Sequence, residues 1–479
     1  MLSTGLDRGL KAAVVLLLCV CLGFAMTSCG GSDNNSSKTG SPLNATSSSL
    51  IAVDCQRQRA YVPLPDLNGD LHGQVAELDL SVDPDQQNPL VKIIDVGEIA
   101  LPRAAAVDIT TGTVLVLLDN VVSTGVMLLI DESDDSLATV QFPFGSRPSE
   151  NSGAVINSRS GTALVSMADS PLDCLFGFGS CTGEASFDLA TRTFGPVLLT
   201  LFEVDSFGVD PSAGVSVGSS DPVTPQLVAL NLPAQNTCAL LDDNVESLDA
   251  DPDGIAVDPG TDIWVAGNFQ SSTVSVINLR GSTFEGNGSF DCNLNEAGTL
   301  PNSVNFDTGA GAEGMPGVAI NPVTHHAFMT AQGGNQIALL SLPSSRVKQL
   351  SASRIKGVSS SIPNDPFGNA FTPANFPYGN AIDSCNNLGY VVNDDLSFLA
   401  QIDLGKFRRK PAQISTPLAQ GSCAGTLTTF HCDNGNGVKF FPLFGAPTTA
   451  ARNLPSQFSR EAFRARKAAK QRGNVSSFR

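Results

Sequence analysis

Between residues 50 and 405 one arrangement of residues recurs seven times. A glycine or small residue leads into alternating apolar residues that end on Asp or Asn. A short turn and a second β-rich run follow, then a gap and a third run with the same kind of ending. The clearest copy reads Asp253-Gly254-Ile255-Ala256-Val257-Asp258-Pro259, then Ile263-Trp264-Val265-Ala266, then Thr273-Val274-Ser275-Val276-Ile277-Asn278. The copy after it reads Pro316-Gly317-Val318-Ala319-Ile320-Asn321-Pro322, then Ala327-Phe328-Met329-Thr330, then Ile337-Ala338-Leu339-Leu340-Ser341.

The other copies are looser but hold register. The first Asx falls at Asp54, Asp108, Asn157, Asp210, Asp258, Asn321 and Asp383, with gaps of 54, 49, 53, 48, 63 and 62 residues. The third run ends in step at Asp79, Asp131, Asp188, Asn231, Asn278, Ser341 and Asp403. Each interval holds four short strands with their loops. Period-2 alternation punctuated by Asx, Gly and Pro specifies strands rather than helices. With 45 Gly and 29 Pro in 479 residues, a helical bundle or coiled coil is excluded. One such unit cannot bury both faces of its sheet, so neighbours must stack on it, and a closed ring leaves no end face bare. A two-sheet sandwich array is the competing arrangement, and a fixed repeat period disfavours it.

The two strong copies resemble the YVTN-type propeller repeat, in which a Gly-Val-Ala-Val-Asx-Pro strand precedes Val-Tyr-Val-Thr-Asn and Thr-Val-Ser-Val-Ile-Asp strands. The resemblance covers residues from about 50 to 405 and is loosest in the third and fourth copies. It implies an all-β fold, a seven-bladed β-propeller of four-stranded antiparallel blades over residues 50–445. Fourth strands are expected at Leu90 to Val96 in the first blade and at Ala412 to Leu418 in the last.

Residues 1–29 read as an export signal. Arg8 and Lys11 precede an apolar stretch from Ala12 to Met26, too short to span a bilayer comfortably but suited to a signal-peptide core. Thr27-Ser28-Cys29-Gly30 resembles the lipobox of bacterial lipoproteins, with Met26 where Leu is commoner. That resemblance implies lipidation of Cys29 and a palmitate-bearing anchor. Gly30 in place of Asp implies sorting to the outer membrane on its periplasmic route. An ordinary cleaved signal with an incidental cysteine is the other reading. Residues 30–49 are almost entirely small and polar and form a flexible tether.

Of 11 cysteines, Cys19, Cys21 and Cys29 belong to the signal and lipid site, leaving eight. An even set in an exported chain reads as disulfides. Cys55 and Cys385 follow the equivalent Asx of the first and last copies, which a ring makes neighbours, so a Cys55–Cys385 bond would staple the closure. A loop of that length gives roughly 4–5 kcal/mol by chain-entropy reasoning. Cys238 and Cys292 follow the third run of adjacent copies and suggest a second inter-blade bond. Cys174 with Cys181, and Cys423 with Cys432, would close small loops.

The sequence is less specific about chemistry. Asp66, Asn68 and Asp70 place oxygens at alternate positions, as one short loop needs to wrap calcium, and resemble the Asp-x-Asn-Gly-Asp-Gly loop of integrin-type propellers. Leu71 and Gln74 depart from that pattern, and a solvated Asx turn fits as well. No cofactor is expected apart from calcium at this loop. His325-His326 sits in a turn and is expected to be exposed and inert. No nucleophile elbow, phosphate-binding glycine loop, H-E-x-x-H motif or paired-carboxylate signature is present.

A formal charge of −18 disfavours nucleic acid as a partner. Residues 446–479 form a basic C-terminal tail, where 451–479 carry eight basic residues against Glu461 alone. The tail is read as solvated, with packing onto the acidic ring or contact with an anionic surface as alternatives. Gly281 to Met315 and Ser344 to Pro377 read as long loops suited to recognition.

The functional expectation is a protein- or ligand-binding scaffold held to the membrane through its N-terminal lipid, with an envelope protein or polymer as partner. The alternative is a lactonase-like propeller hydrolase with its site at the central channel mouth. A redox propeller is disfavoured by four scattered histidines and one tryptophan.

Overall fold

The computed structural model describes residues 51–443 apart from 65–71, 85, 99, 121–123, 149–152, 169–181, 201–202, 211–214, 222–225, 232–235, 241–251, 269–272, 279–303, 308–316, 332–335, 346–355, 362–376, 394–397, 406–423, 427–428 and 432–437. All of these belong to the compact unit Pro42–Arg479.

The described residues form seven four-stranded antiparallel sheets and one two-stranded hairpin. The sheets, numbered first to seventh, span 52–98, 100–141, 154–200, 203–240, 252–307, 317–361 and 377–442. Every first strand ends on the expected residue, at Asp54, Asp108, Asn157, Asp210, Asp258, Asn321 and Asp383. Every second strand begins five residues later, and the third strands end at the seven residues from Asp79 to Asp403 read from the repeat.

One turn explains this regularity. The Asx side chain accepts backbone N–H groups two or three residues on. Asp54 Oδ1 takes Gln56 N (2.7 Å) and Arg57 N (2.9 Å), Asn321 Oδ1 takes Val323 N (2.9 Å), and Asp383 Oδ1 takes Asn386 N (2.9 Å). The fourth residue after the Asx then adopts a left-handed conformation at Gln58, Gly112, Gly161, Asp262, His325 and Asn387. Asx residues stabilise such a turn because their short side chains reach their own following amides.

Both faces of each sheet are packed. Alternation sends Tyr61 and Val75 into a core layer with Val114, Val116 and Ile130 of the second sheet, and sends Ala60 and Val62 into a layer with Tyr390, Val392 and Phe441 of the seventh. Leu115 and Leu117 face the third sheet, and Trp264 packs between the fourth and fifth. A Cβ added at Gly208 would lie 2.9 Å from the Trp264 ring, so that glycine makes room for the single tryptophan. First strands neighbour one another in sequence order, and the seventh neighbours the first, so the circuit of sheets closes.

The fourth strand of the first sheet is Leu90–Glu98, as read from sequence. The seventh differs: its fourth strand is Val438–Pro442, paired with Phe398–Asp403, while 412–418 lies outside the described residues. Phe441 sets its ring edge-on to Tyr390 at 6.4 Å, an aromatic contact the Ala412–Leu418 stretch has no residue to make. The two segments read as long loops also contain fourth strands, Val304–Asp307 and Lys356–Ser361.

Asn321→Ala removes a turn cap together with the 2.9 Å bond from Asn321 Nδ2 to Asn387 Oδ1 of the next sheet. It is expected to lower stability by about 1–3 kcal/mol, read as a lower urea midpoint at unchanged slope.

Candidate functional site

The Asx ends of the sheets carry the densest side-chain chemistry among the described residues. Here the left-handed residue of one turn reaches back to the Asx of the preceding sheet. His325 Nδ1 lies 2.6 Å from Asp258 Oδ2, Asn387 Oδ1 accepts from Asn321 Nδ2, and Gln58 Nε2 donates to Asp383 Oδ2 at 3.4 Å. The last of these joins the first sheet to the seventh. At the same seam Cys55 and Cys385 are disulfide-bonded, their Cα atoms 5.7 Å apart across 330 residues of chain.

The histidines therefore depart from the exposed, inert turn expected of them. His325 is bonded across a seam, and His326 is buried with Nδ1 2.6 Å from Thr324 O. Their turn is pressed against a neighbouring sheet, which no reading confined to one repeat could show.

The seam between the first and second sheets is built differently. Gly112 occupies the left-handed position of the second turn, and a Cβ there would lie 2.7 Å from Arg57 Cζ. The guanidinium fills the space that the glycine leaves. Arg57 Nη1 donates to Asp54 Oδ2 at 2.6 Å and to Ile109 O of the second sheet at 3.1 Å, and lies 3.7 Å from Glu132 Oε2. Burial alone would lower the Arg57 pKa, but the bond to Asp54 and the nearby Glu132 and Asp108 carboxylates outweigh it and raise it.

Glu132 follows the strand-ending Asp131, and its N–H bonds to Gly112 O at 2.9 Å. The same backbone bond recurs from Leu80, Leu189, Leu342 and Leu404 to the left-handed residue of their own sheets, and all four leucine side chains are buried. In sequence the position is leucine in six copies and glutamate only at 132. Glu132 thus stands in a core leucine position, with its side chain 2% exposed. Burial first, and the adjacent Asp54 second, push its carboxyl up to about 8. Tyr61, fully buried, is pushed up by burial and then by Glu132 and Glu77. The Tyr61 hydroxyl faces Glu132 and draws its carboxyl down, but not enough to offset burial and Asp54. Asp54 by contrast already takes three donors, from Gln56 N, Arg57 N and Arg57 Nη1.

A buried acid pair is not a substrate site by itself. With Asp54 and Tyr61 at 0% exposure, no reacting molecule reaches these groups while the sheets are packed. Nor is there an open set of metal ligands: among the described residues the one close group of three ligand atoms is Cys55, Asp383 and Cys385, and both sulfurs are consumed by the disulfide.

Cys29, the calcium-loop residues Asp66, Asn68 and Asp70, and Cys174, Cys181, Cys292, Cys423 and Cys432 lie outside the described residues. Cys238 lies on the strand Asn236–Leu240, its side chain not described. A described hairpin of Ala424–Thr426 and Thr429–His431 ends one residue short of Cys423 and Cys432 on either side.

No protein-family model matches the chain, and no curated protein matches it. Among solved structures, hydrazine synthase of Kuenenia stuttgartiensis is similar to it with a TM-score of 0.49 at 11% identity, over 76% of this chain and 96% of that one. A chain in a mitotic checkpoint complex is similar with a TM-score of 0.46 at 10% identity, over 77% and 97%.

Peptide mapping without reductant is expected to give a Cys55 peptide linked to a Cys385 peptide. A Cys55→Ala, Cys385→Ala variant should lose about 2–5 kcal/mol, read as a lower melting temperature than the oxidised parent.

Proposed function

We propose that the chain is an exported lipoprotein whose residues 50–445 form a seven-bladed β-propeller of YVTN type, serving as a binding scaffold on the cell envelope. One observation carries the reading: the seven first strands form a closed circuit whose last seam is held by Gln58–Asp383 and Cys55–Cys385. Such closure removes free sheet ends and supplies a rigid frame from which loops can present a recognition surface. A disulfide at the closure fits an oxidising compartment, in keeping with the signal-like residues 1–29.

In this reading Cys29 carries the lipid and 30–49 is the tether to the outer membrane. The partner is an envelope protein or polymer, met by the connecting loops or by the basic tail 446–479. Calcium at Asp66, Asn68 and Asp70 would brace the loop that joins two strands of the first blade.

Cells fed labelled palmitate should label the full chain and recover it in the outer-membrane fraction, and Cys29→Ser should abolish both results. The lipidated chain should also retain envelope components in a pull-down, and deleting 451–479 shows whether the tail contributes. Absence of label in the parent would remove the anchor from the reading. Absence of any retained component, with and without the tail, would remove the scaffold.

A further inference from the structure

We propose that the seam between the first and second sheets is a proton-held latch: Glu132 keeps a proton between itself and Asp54 while Arg57 bridges the sheets, so that acid closes this seam and rising pH loosens it. Two residues that break the repeat meet here. Glu132 replaces the leucine of the other six copies, and Arg57 stands where five other turns carry Thr111, Ser160, Thr261, Thr324 and Asn386. A glycine at 112 admits the Arg57 guanidinium. The two exceptions face each other across one seam at 3.7 Å.

Arg57 cannot satisfy both acids. Its close contact is Asp54 at 2.6 Å, leaving Glu132 buried beside the Tyr61 hydroxyl, whose pull toward the charged form is outweighed by burial and by Asp54. A buried carboxylate in that position is costly, whereas a protonated carboxyl donates its own hydrogen to the neighbouring acid.

The groups facing it from each packed element are known. Asp54, Arg57, Tyr61 and, beyond it, Arg59 and Glu77 come from the first sheet, while Asp108 and Asp131 of the second act on Arg57. Lys92 of the first sheet lies 3.3 Å from Glu77 and 2.9 Å from Asp135 of the second, so Glu77 is already partnered. The charge left over is that of Glu132.

The carboxyl titrates at about 8 in the closed seam, against an ordinary value of 4.5 once released. The closed state then holds one proton more than the open state throughout that interval. Its advantage is complete below the ordinary carboxylate range, falls as pH rises through the interval, and is gone above the closed-state value.

Hydrogen exchange of the full chain, corrected for intrinsic rates, reads the latch directly. Protection in peptides covering 54–60 and 109–114 should fall about tenfold per pH unit between roughly pH 5.5 and 7.5, one proton being lost per opening. Peptides covering the turn 157–162, which carries no acid and no histidine, supply the internal control and should hold constant. Glu132→Leu restores the residue of the other copies and should make the seam insensitive to pH. Asp54→Asn, which keeps a capping side chain of the kind seen at Asn157 and Asn321, removes the neighbouring charge and should shift the fall to lower pH. Constant protection in the parent, or an equal fall in Glu132→Leu, would overturn the proposal.

Discussion

The bond from an Asx side chain to the amides just beyond it is the interaction on which the rest depends. In the six described turns it ends the first strand at a set residue, places the fourth residue after it in a left-handed conformation, and starts the second strand at the fifth. A side-chain period of two leaves no tolerance for slippage here, because a shift by one residue would send Tyr61 from the layer shared with the second sheet into the layer shared with the seventh. Turn chemistry therefore governs which apolar residues meet at every seam.

The same end of the sheets also joins neighbours, by different chemistry at different seams. An amide pair links the sixth and seventh sheets, a histidine and an aspartate link the fifth and sixth, and a glutamine with a disulfide links the seventh and first. The first sheet is tied on both sides through four consecutive residues, since Cys55 and Gln58 hold the seventh sheet while Arg57 holds the second. Covalent closure on one side and an ion pair against a buried acid on the other make this sheet the natural place for the ring's integrity to be set.

Much of this was legible in the sequence where the physics is local. The strand ends could be read because an Asx cap and the amides it binds lie within three residues. The Cys55–Cys385 neighbourhood could be read because equivalent turns of the first and last copies must meet in a closed circuit. The fourth strand of the last sheet could not, because its pairing depends on Phe441 reaching Tyr390 from 51 residues along the chain. Reading His325 as an inert turn residue failed for a similar reason, since its partner Asp258 lies in the previous copy. Glu132 was hidden within Asp131-Glu132-Ser133-Asp134-Asp135, a run that looks like a solvated turn. Aligning the copies one residue past the third-run terminator would have exposed it as the one non-leucine.

By itself the sequence determined the number of strand repeats, their ends and the two-faced burial of their strands, because alternation and Asx turns act over a few residues. Only the tertiary structure decided what each turn touches across its seam. A carboxyl beside Asp54, an arginine in the slot of Gly112 and a histidine on Asp258 acquire their chemistry from groups that the chain brings together over tens of residues. Burial then sets the cost of charge at those contacts, and burial exists only once the sheets have packed.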